Sequence, residues 1–263
     1  MPVALKAIRI IHMTELLLIR HAVNDFVKTG RLAGWTPGVH LNDEGRAQAE
    51  ALATRLAELP IAAIYSSPLE RAMETAEPLA RARGLPIRVV DAVGEVKYGE
   101  WTGGELKELS KHELWHGVQY FPSITRFPAG ETIAEMQARA VGQCEAIHVT
   151  HPDDIVAVVS HADVIKAIVA YYIGVHLDLF QRLFIAPASM TWVHLGKGGP
   201  RLVVMNDTGA VPTPPERKAQ DTATVGGVEP VAAEDGAADG AEAPEPVGDT
   251  SGATETPPGE GKE

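Results

Sequence analysis

The sequence is poor in cysteine and has no long apolar run. Its 263 residues include one cysteine, Cys144, which excludes an internal disulfide framework and a zinc site built from several thiolates. No apolar run reaches the roughly 18 residues that a membrane-spanning helix requires. Glu15 and Arg20 soon interrupt the N-terminal apolar stretch, and no small-residue cleavage site of a signal peptide follows it. These absences predict a cytoplasmic protein with no membrane partner.

Basic residues are scarce near the C-terminus. The net charge is −12, and residues 211–263 carry −9 of it, so the rest of the chain is nearly neutral. A nucleic-acid binder needs a basic field, so no nucleic-acid partner is expected. The last 53 residues contain 16 prolines and glycines, and no isoleucine, leucine or aromatic residue follows Gly209. Because such a segment cannot bury enough apolar surface to offset chain entropy, we predict a disordered acidic Pro/Gly/Ala-rich tail over residues 210–263.

Strand and helix patterns alternate between the two termini. Residues 1–12 are expected to form an N-terminal extension, and Met13 is an alternative start of the protein. The apolar runs Leu16–Ile19 and Ile155–Val159 are typical of strands covered on both faces. Further strands are predicted at 61–65, 87–90, 190–195 and 201–205, and helices at 43–59, 68–83, 104–118, 130–149 and 163–172. This alternation predicts an α/β fold over residues 13–209, a three-layer α/β/α sandwich with a mostly parallel sheet.

Three predicted strands end in side chains that suit phosphate. The first strand ends in Arg20-His21, and a later one is followed by His161. Arg71 lies on the first turn of a helix that Ser67 is expected to cap. Ligands of open α/β sheets bind beyond the carboxyl ends of the strands, so these side chains are expected at one edge. Arginine forks bind phosphate oxygens and a neutral histidine can attack phosphorus, so we predict a phosphate site there.

The strand ends belong to four motifs that occur in a fixed order. They are Leu17-Leu18-Ile19-Arg20-His21, Tyr65-Ser66-Ser67-Pro68-Leu69-Glu70-Arg71-Ala72 followed by Thr75-Ala76, Gly94-Glu95 before Tyr98-Gly99-Glu100-Trp101-Thr102-Gly103, and Val158-Val159-Ser160-His161. Together they resemble the signature of the histidine phosphatases, the phosphoglycerate mutase-like superfamily, over roughly residues 13–209. The resemblance implies the phosphoglycerate mutase-like version of the predicted fold.

The resemblance also implies a role for each motif residue. His21 would be the nucleophile that forms a phosphohistidine, and Arg20, Arg71 and His161 would hold the phosphate oxygens. Glu95 would protonate the leaving oxygen and then deprotonate the attacking water, which requires a raised pKa. The arginine and histidine side chains supply the necessary charge, so no metal and no cofactor is expected.

Four positions bear on how this chain compares with the family pattern. Ala22 stands where the family usually has glycine, which would be costly if the position needs a positive φ or a close approach of the backbone to phosphate. Asn24 and Val27 replace a hydroxyl residue and an asparagine, so Asn24 is expected to supply the second polar contact to the substrate. Gly34, within Leu32-Ala33-Gly34-Trp35-Thr36, belongs to a stretch that resembles the family's phosphate-side loop and is also expected to bind substrate.

The favoured function is hydrolysis of a small phosphomonoester through a phosphohistidine. One alternative is a phosphoglycerate mutase-type transfer, and another is a phospho-ligand binding module without catalysis. The classical mutases have a basic pair after the glutamate and a longer arginine-rich insertion, whereas Val96-Lys97 follows Glu95 and residues 104–128 contain only Arg126 as an arginine. The expected partner is therefore a small-molecule phosphate ester, and the oligomeric state is left open.

Residues 91–129 are predicted to form an insertion over the mouth of the site. Its aromatic residues are Trp101, Trp115, Tyr120 and Phe121. This composition, with few cations, favours a substrate whose non-phosphate part is not strongly anionic. His112 and His116 have the i, i+4 spacing of a helical metal site, but no Glu-x-x-His frame surrounds them, so a surface or cap role is favoured over a metal site.

Overall fold

A computed structural model describes residues 13–209 of the chain. Six strands in this range form one sheet. Their bounds are β1 Thr14–Arg20, β2 Ile61–Ser66, β3 Ile87–Val89, β4 Ile155–Ser160, β5 Met190–Leu195 and β6 Arg201–Asp207. These bounds agree with the predicted strands to within two residues. The predicted extension over residues 1–12 and the predicted tail over residues 210–263 lie outside the described residues.

The sheet places three strand ends side by side. Its order is β3-β2-β4-β1-β5-β6, and the first four of these strands run parallel. Strand β5 pairs antiparallel with both β1 and β6, so the prediction of a mostly parallel sheet is confirmed. In the register, Arg20 pairs with Ser160, and Ser66 pairs with Val159. The carboxyl ends of β1, β2 and β4 therefore meet at one edge of the sheet.

Helices cover both faces of the sheet. They are α1 Asp25–Lys28, α2 Asp43–Arg55, α3 Glu70–Arg83, α4 Leu106–Leu109, α5 Trp115–Tyr120, α6 Ile133–Thr150 and α7 Ala162–Ile173, with 3-10 turns at Asp91–Val93, Gly99–Trp101 and Leu177–Arg182. Leu17 and Ile19 of β1 belong to the core beneath α2 and α3. Leu16 and Leu18, which point to the opposite face, belong to the core beneath α6 and α7. The three-layer sandwich is thus confirmed.

Local sequence explains where several helices begin and end. The side chain of Asn42 accepts the N–H of Gly45 at 2.9 Å and caps α2. Gly45 itself allows a close approach, because a Cβ there would lie 2.0 Å from the carbonyl oxygen of Val23. Gly84 ends α3 in the left-handed conformation that a helix C-terminus favours.

Three helix predictions need correction. Helix α2 ends at Arg55 rather than near residue 59, since Pro60 disfavours helical geometry in the residue before it. Ser67 does not cap α3, which begins at Glu70 after Leu69; its hydroxyl instead accepts the N–H of Leu69 at 3.3 Å, one position too early for the helix, and contacts Nε2 of His161 at 2.8 Å. The single helix predicted over 104–118 is two short ones, α4 and α5. Between them, Nδ1 of His112 accepts the N–H of Leu114 and competes with helical hydrogen bonding.

The interior of the described part holds the single cysteine. Cys144 lies on α6, fully buried in the core, as expected for a small apolar residue.

Among the helices within residues 13–209, none combines the length and apolarity needed to cross a bilayer.

Candidate active site

His21 follows β1 directly and is almost fully buried. Its Nδ1 lies 2.8 Å from the carbonyl oxygen of Ala22. A carbonyl can only accept, so Nδ1 carries the hydrogen and Nε2 keeps a lone pair. Burial, together with the charges of Arg71 and Arg20, holds the pKa of His21 well below its usual value. A neutral imidazole with a lone pair on Nε2 is the form that can act as a nucleophile.

Two buried arginines flank His21. Arg20 donates from Nη1 to the carbonyl oxygen of Ile185 at 2.7 Å, and burial lowers its pKa to about 10, which leaves it charged at neutral pH. Arg71, on the first turn of α3, donates from Nη2 to the carbonyl oxygen of Gly34 at 2.9 Å. Among the described residues, Nε and Nη1 of Arg71 have no hydrogen-bond partner. Unsatisfied N–H groups on a buried cation suit an anionic oxygen.

His161 lies at the start of α7 with no exposed surface. Its ring centroid is 5.2 Å from that of His21. Nδ1 of His161 lies 3.3 Å from Nη2 of Arg71, which can only donate, and Nε2 lies 2.8 Å from the hydroxyl of Ser67. Burial, followed by the charge of Arg71, lowers the pKa of His161 well below its usual value. The neutral ring therefore accepts at Nδ1 and donates from Nε2, which assigns Ser67 a positioning role rather than the capping role predicted from the sequence.

Glu95 follows the 3-10 turn at Asp91–Val93 and is buried. Its Oε1 accepts the N–H of Val96 at 2.9 Å, while Oε2 lies 4.0 Å from Nη2 of Arg71 and 3.6 Å from Nδ1 of His161. Burial raises the pKa of Glu95 to about 7, against the lowering effect of Arg71. The carboxyl therefore exchanges its proton near neutral pH, which general acid–base chemistry requires.

Two side chains distant in the sequence, Arg139 and Trp35, hold the backbone around Glu95 by hydrogen bonds. Arg139 of α6 donates from Nη1 to the carbonyl oxygens of Ala92 and Gly94, at 2.9 and 2.8 Å. Its Nη2 donates to the carbonyl oxygen of Glu95 at 2.9 Å, and Nε1 of Trp35 donates to the same oxygen at 2.6 Å. Nothing in the sequence marks Arg139 as a site residue, since it lies 44 residues from Glu95 and belongs to no motif.

Thr75 connects the first two motifs. Its hydroxyl accepts the N–H of Ala22 at 2.9 Å and donates to the carbonyl oxygen of Arg71 at 2.7 Å. Ala22 is not among the residues with positive φ, so the cost considered for a side chain at positive φ does not arise. The Ala22 methyl packs with Leu41, Ala49 and Ala188. Thr75 belongs to the second motif, but only the fold reveals what it contacts.

One small cavity joins six of the seven sequence-predicted site residues. They are Arg20, His21, Asn24, Gly34, Arg71 and Glu95. His161, the seventh, contacts Arg71 but does not line the cavity. The rest of the wall comes from Phe26, Val27, Arg31, Leu32, Ala33 and Tyr98.

The aromatic residues of the predicted insertion do not form the wall of the cavity, and that they cover its mouth stays a prediction. None of Trp101, Trp115, Tyr120 and Phe121 lines the cavity. Trp101 is buried against Phe127 and Trp115, while Tyr120 and Phe121 are exposed. The insertion instead contributes Glu95 and Tyr98 to the wall, and its buried apolar residues extend the core.

Asn24 and Gly34 each contribute one polar group to the site, a side-chain amide and a backbone carbonyl. The Asn24 side chain caps α1 by accepting the N–H of Val27 at 2.9 Å, and its buried Nδ2 has no partner among residues 13–209. Gly34 has a φ of +51°, and a Cβ there would lie 3.0 Å from the Thr102 hydroxyl. Glycine thus permits the turn that directs its carbonyl to Arg71.

The two histidines considered for a metal site do not share a helix. His112 lies in the turn before α5, with its ring 5.4 Å from that of Trp101, and His116 lies on α5, with its ring 4.8 Å from that of Tyr120. Within the described range, no group of three or more His, Cys, Asp or Glu side chains is arranged to hold a metal ion.

The chain is similar to several proteins named as phosphatases. Phosphoserine phosphatase 1 of Hydrogenobacter thermophilus is 31% identical over 186 residues, which cover 70% of this chain and 87% of that protein. The metal-independent phosphoserine phosphatase of Arabidopsis thaliana is 33% identical over 164 residues, which cover 59% of this chain and 67% of that protein. The native structure of a mycobacterial glucosyl-3-phosphoglycerate phosphatase aligns with a TM-score of 0.67 at 26% identity, covering 74% of this chain and 99% of that one.

The fold and the charged cavity at the strand ends are typical of an enzyme that acts on phosphate esters. The profile of the histidine phosphatase superfamily, branch 1, matches residues 16–208, and the chain belongs to that family. The resemblance seen in the sequence is thereby confirmed. With its named relatives, this membership makes the protein a phosphomonoester hydrolase.

Proposed function

We propose that the protein hydrolyses a small phosphomonoester by two displacements at His21, within a catalytic domain that spans residues 13–209. The observation that carries this proposal is the neutral, Nδ1-protonated His21 in one cavity with two buried arginines and a carboxyl that titrates near pH 7. This cavity brings a nucleophile, an acid and phosphate-binding cations together.

In the first displacement, Nε2 of His21 attacks phosphorus and the bond to the ester oxygen breaks. The protonated carboxyl of Glu95 gives its proton to that oxygen, so an alcohol leaves and a phosphohistidine remains. In the second, the Glu95 carboxylate takes a proton from water, whose oxygen attacks phosphorus. The P–N bond breaks, inorganic phosphate is released, and His21 and Glu95 return to their starting forms.

The remaining side chains stabilise charge on the phosphoryl oxygens. Nε and Nη1 of Arg71 and Nδ2 of Asn24 are buried N–H groups without partners among the described residues, so a phosphoryl oxygen compensates their desolvation. Arg20 adds a second fixed cation. His161 positions the side chains of Arg71 and the nearby Glu95. Phosphoryl transfer mainly requires positioning and charge stabilisation, so we propose that this set acts without a metal ion or cofactor.

Relatives narrow the substrates to test first. Two of them are named as phosphoserine phosphatases and a structural neighbour as a glucosyl-3-phosphoglycerate phosphatase. We therefore propose that the substrate is a small phosphate ester comparable to those in the names of these relatives. The single buried cysteine supports a role in the reducing cytoplasm, the compartment proposed here.

The test is phosphate release from a panel of small phosphate esters with a chelator present. The wild type should release phosphate, and His21→Ala should lower the rate by at least about 10³-fold because the nucleophile is lost. Circular dichroism and the melting temperature of His21→Ala serve as the folding control. Isomerisation of 3-phosphoglycerate with a bisphosphoglycerate primer, with little free phosphate, would instead identify a mutase. Unchanged hydrolysis by His21→Ala would refute the proposed nucleophile.

A further inference from the structure

The cavity wall contains a third arginine that the proposed chemistry does not use. Arg20 and Arg71 are almost fully buried, whereas Arg31 is exposed and lines the same cavity. Phe26, Val27 and Leu32 form the apolar wall beside it. When the phosphoryl group occupies the His21 end, the organic part of the ester must face this wall.

The Arg31 side chain is held in a fixed orientation. Its Nε and Nη2 both donate to the carbonyl oxygen of Gly103, at 3.2 and 2.9 Å, and its guanidinium lies 4.9 Å from the ring centroid of Phe26. These contacts use one edge of the guanidinium. The end-on edge, with one hydrogen on each of Nη1 and Nη2, has the fork geometry that pairs with a carboxylate.

The described part of the chain offers this fork no carboxylate of its own. No ion pair joins Arg31 to an Asp or Glu among residues 13–209, whereas nearby Lys28 pairs with Glu44 at 2.7 Å. A pre-oriented cation without an acidic partner beside an anion-binding cavity is typical of a recognition site rather than a structural ion pair.

The side chain is also not needed to hold the loop that carries it. Backbone hydrogen bonds already join the two segments: the N–H of Leu32 to the carbonyl of Gly104 at 2.9 Å, and the N–H of Gly103 to the carbonyl of Leu32 at 2.7 Å. The N–H of Leu106 adds a third bond to the carbonyl of Gly30 at 2.9 Å. Removal of the Arg31 charge should therefore leave the loop in place.

We infer that Arg31 is a specificity-determining residue that binds a carboxylate on the alcohol part of the substrate, so the enzyme prefers phosphomonoesters of small hydroxy acids. This inference rests on the proposed function, since it takes the phosphoryl group to lie at His21. It reverses the expectation from residues 91–129 of a substrate without a second strong negative charge. The reversal follows because the aromatic residues of that segment do not line the cavity, whereas Arg31 does.

Two substrates that differ only in a carboxylate provide the test. O-phosphoserine and O-phosphoethanolamine share the phosphate and the ammonium, and only the first has the carboxylate. For the wild type, kcat/KM should be at least about tenfold higher for O-phosphoserine, the effect expected of one charge-assisted pair. Arg31→Gln should raise KM for O-phosphoserine by about tenfold while changing KM for O-phosphoethanolamine less than about twofold.

Matched variants separate recognition from a structural effect. Arg31→Lys keeps the charge without the fork and should recover only part of the preference, whereas Lys28→Gln removes a neighbouring exposed cation and should change neither substrate. Equal losses on both substrates in Arg31→Gln would assign Arg31 a structural role, and no loss on either would exclude it from recognition. Either result overturns the inference.

Failure of the proposed function would look different. In that case the wild type would release phosphate from neither substrate nor from p-nitrophenyl phosphate. Calorimetric titration of the wild type and Arg31→Gln with both compounds would still decide the inference. An affinity for O-phosphoserine that depends on Arg31, absent for O-phosphoethanolamine, supports it, and equal affinities in the two proteins overturn it.

Discussion

Nδ1 of His161 and Oε2 of Glu95 lie 3.6 Å apart, yet burial drives their pKa values in opposite directions. Burial lowers the pKa of His161 well below its usual value and raises that of Glu95 to about 7. Below pH 7 the pair is therefore a neutral imidazole and a neutral carboxylic acid rather than an ion pair. The proton needed by the leaving oxygen is thus held on Glu95 before substrate binds.

The pH dependence of the first chemical step follows from this proton. Glu95 must be protonated to release the alcohol, so kcat/KM should fall about tenfold per pH unit above pH 7. His21 stays neutral down to well below pH 6.5 and does not limit the rate in that range. The measurement is kcat/KM from pH 5 to 9 with Glu95→Gln as control. The variant should be slower and lack the alkaline limb, and a flat wild-type profile would contradict the acid role.

The same carboxyl should make stability depend on pH. In the unfolded chain Glu95 loses its proton near pH 4.5, but in the folded protein only near pH 7, so its contribution to stability falls as pH rises through that window. Glu95→Gln stays neutral at every pH. The free energy of unfolding of Glu95→Gln, relative to that of the wild type, should therefore rise between pH 4.5 and 7 and level off about 3 kcal/mol higher.

Denaturant unfolding at several pH values measures this difference. The lowered pKa values of His21 and His161 weaken both proteins below pH 6.5, and this effect largely cancels in the comparison. The exposed Glu113→Gln is the matched control and should show no such rise. A constant difference between wild type and Glu95→Gln across the range would mean that burial does not raise this pKa.

Arg139 should affect the chemistry through Glu95, although its Nη2 also pairs with Glu131 at 2.6 Å. Arg139→Met removes the donors that hold the backbone at residues 92–95, so the carboxyl should lose its alignment with the leaving oxygen. A good leaving group needs little protonation. The variant should therefore lose about tenfold or more in kcat on an alkyl phosphate but much less on p-nitrophenyl phosphate, the same pattern as Glu95→Gln.

The control for Arg139 is Arg126→Met, which removes an exposed arginine paired with Glu135 that does not reach the Glu95 backbone. It should leave both substrates almost unaffected. If Arg139→Met lowers the rate on both substrates equally, its effect is a general loss of structure and the positioning role is wrong.

Thr75 should contribute to both stability and alignment. Thr75→Val keeps the shape but removes the hydroxyl that joins the N–H of Ala22 to the carbonyl of Arg71. A buried N–H would lose its partner, at a cost of about 1–3 kcal/mol in the free energy of unfolding. Thr75→Ser keeps the hydroxyl and should retain most of the stability and activity. Denaturant unfolding and kcat/KM of both variants test this, and equal stability of the two would exclude the bridging hydroxyl as the cause.

The sequence by itself determined the strands, the order of the motifs and the residue types at the strand ends. Consecutive residues of a strand point to opposite faces of the sheet, and helices cover both faces, so every residue of Leu16–Ile19 is apolar. This run can therefore be recognised from the strand's own sequence, without knowledge of the neighbouring strands. Arg20 and His21 could be predicted as ligand-facing because parallel strands end at a common edge.

Only the tertiary structure decided which side chains hold the reactive groups in place. Arg139 reaches Glu95 across 44 residues, and the Ser67 hydroxyl contacts His161, which lies 94 residues away in the sequence. The pKa of Glu95 likewise depends on burial by segments distant in sequence. Arg31 gained its place on the cavity wall in the same way, through the loop pairing with residues 103–106. Such contacts leave no periodic signal in the chain, since they depend on where whole elements pack rather than on neighbouring residues.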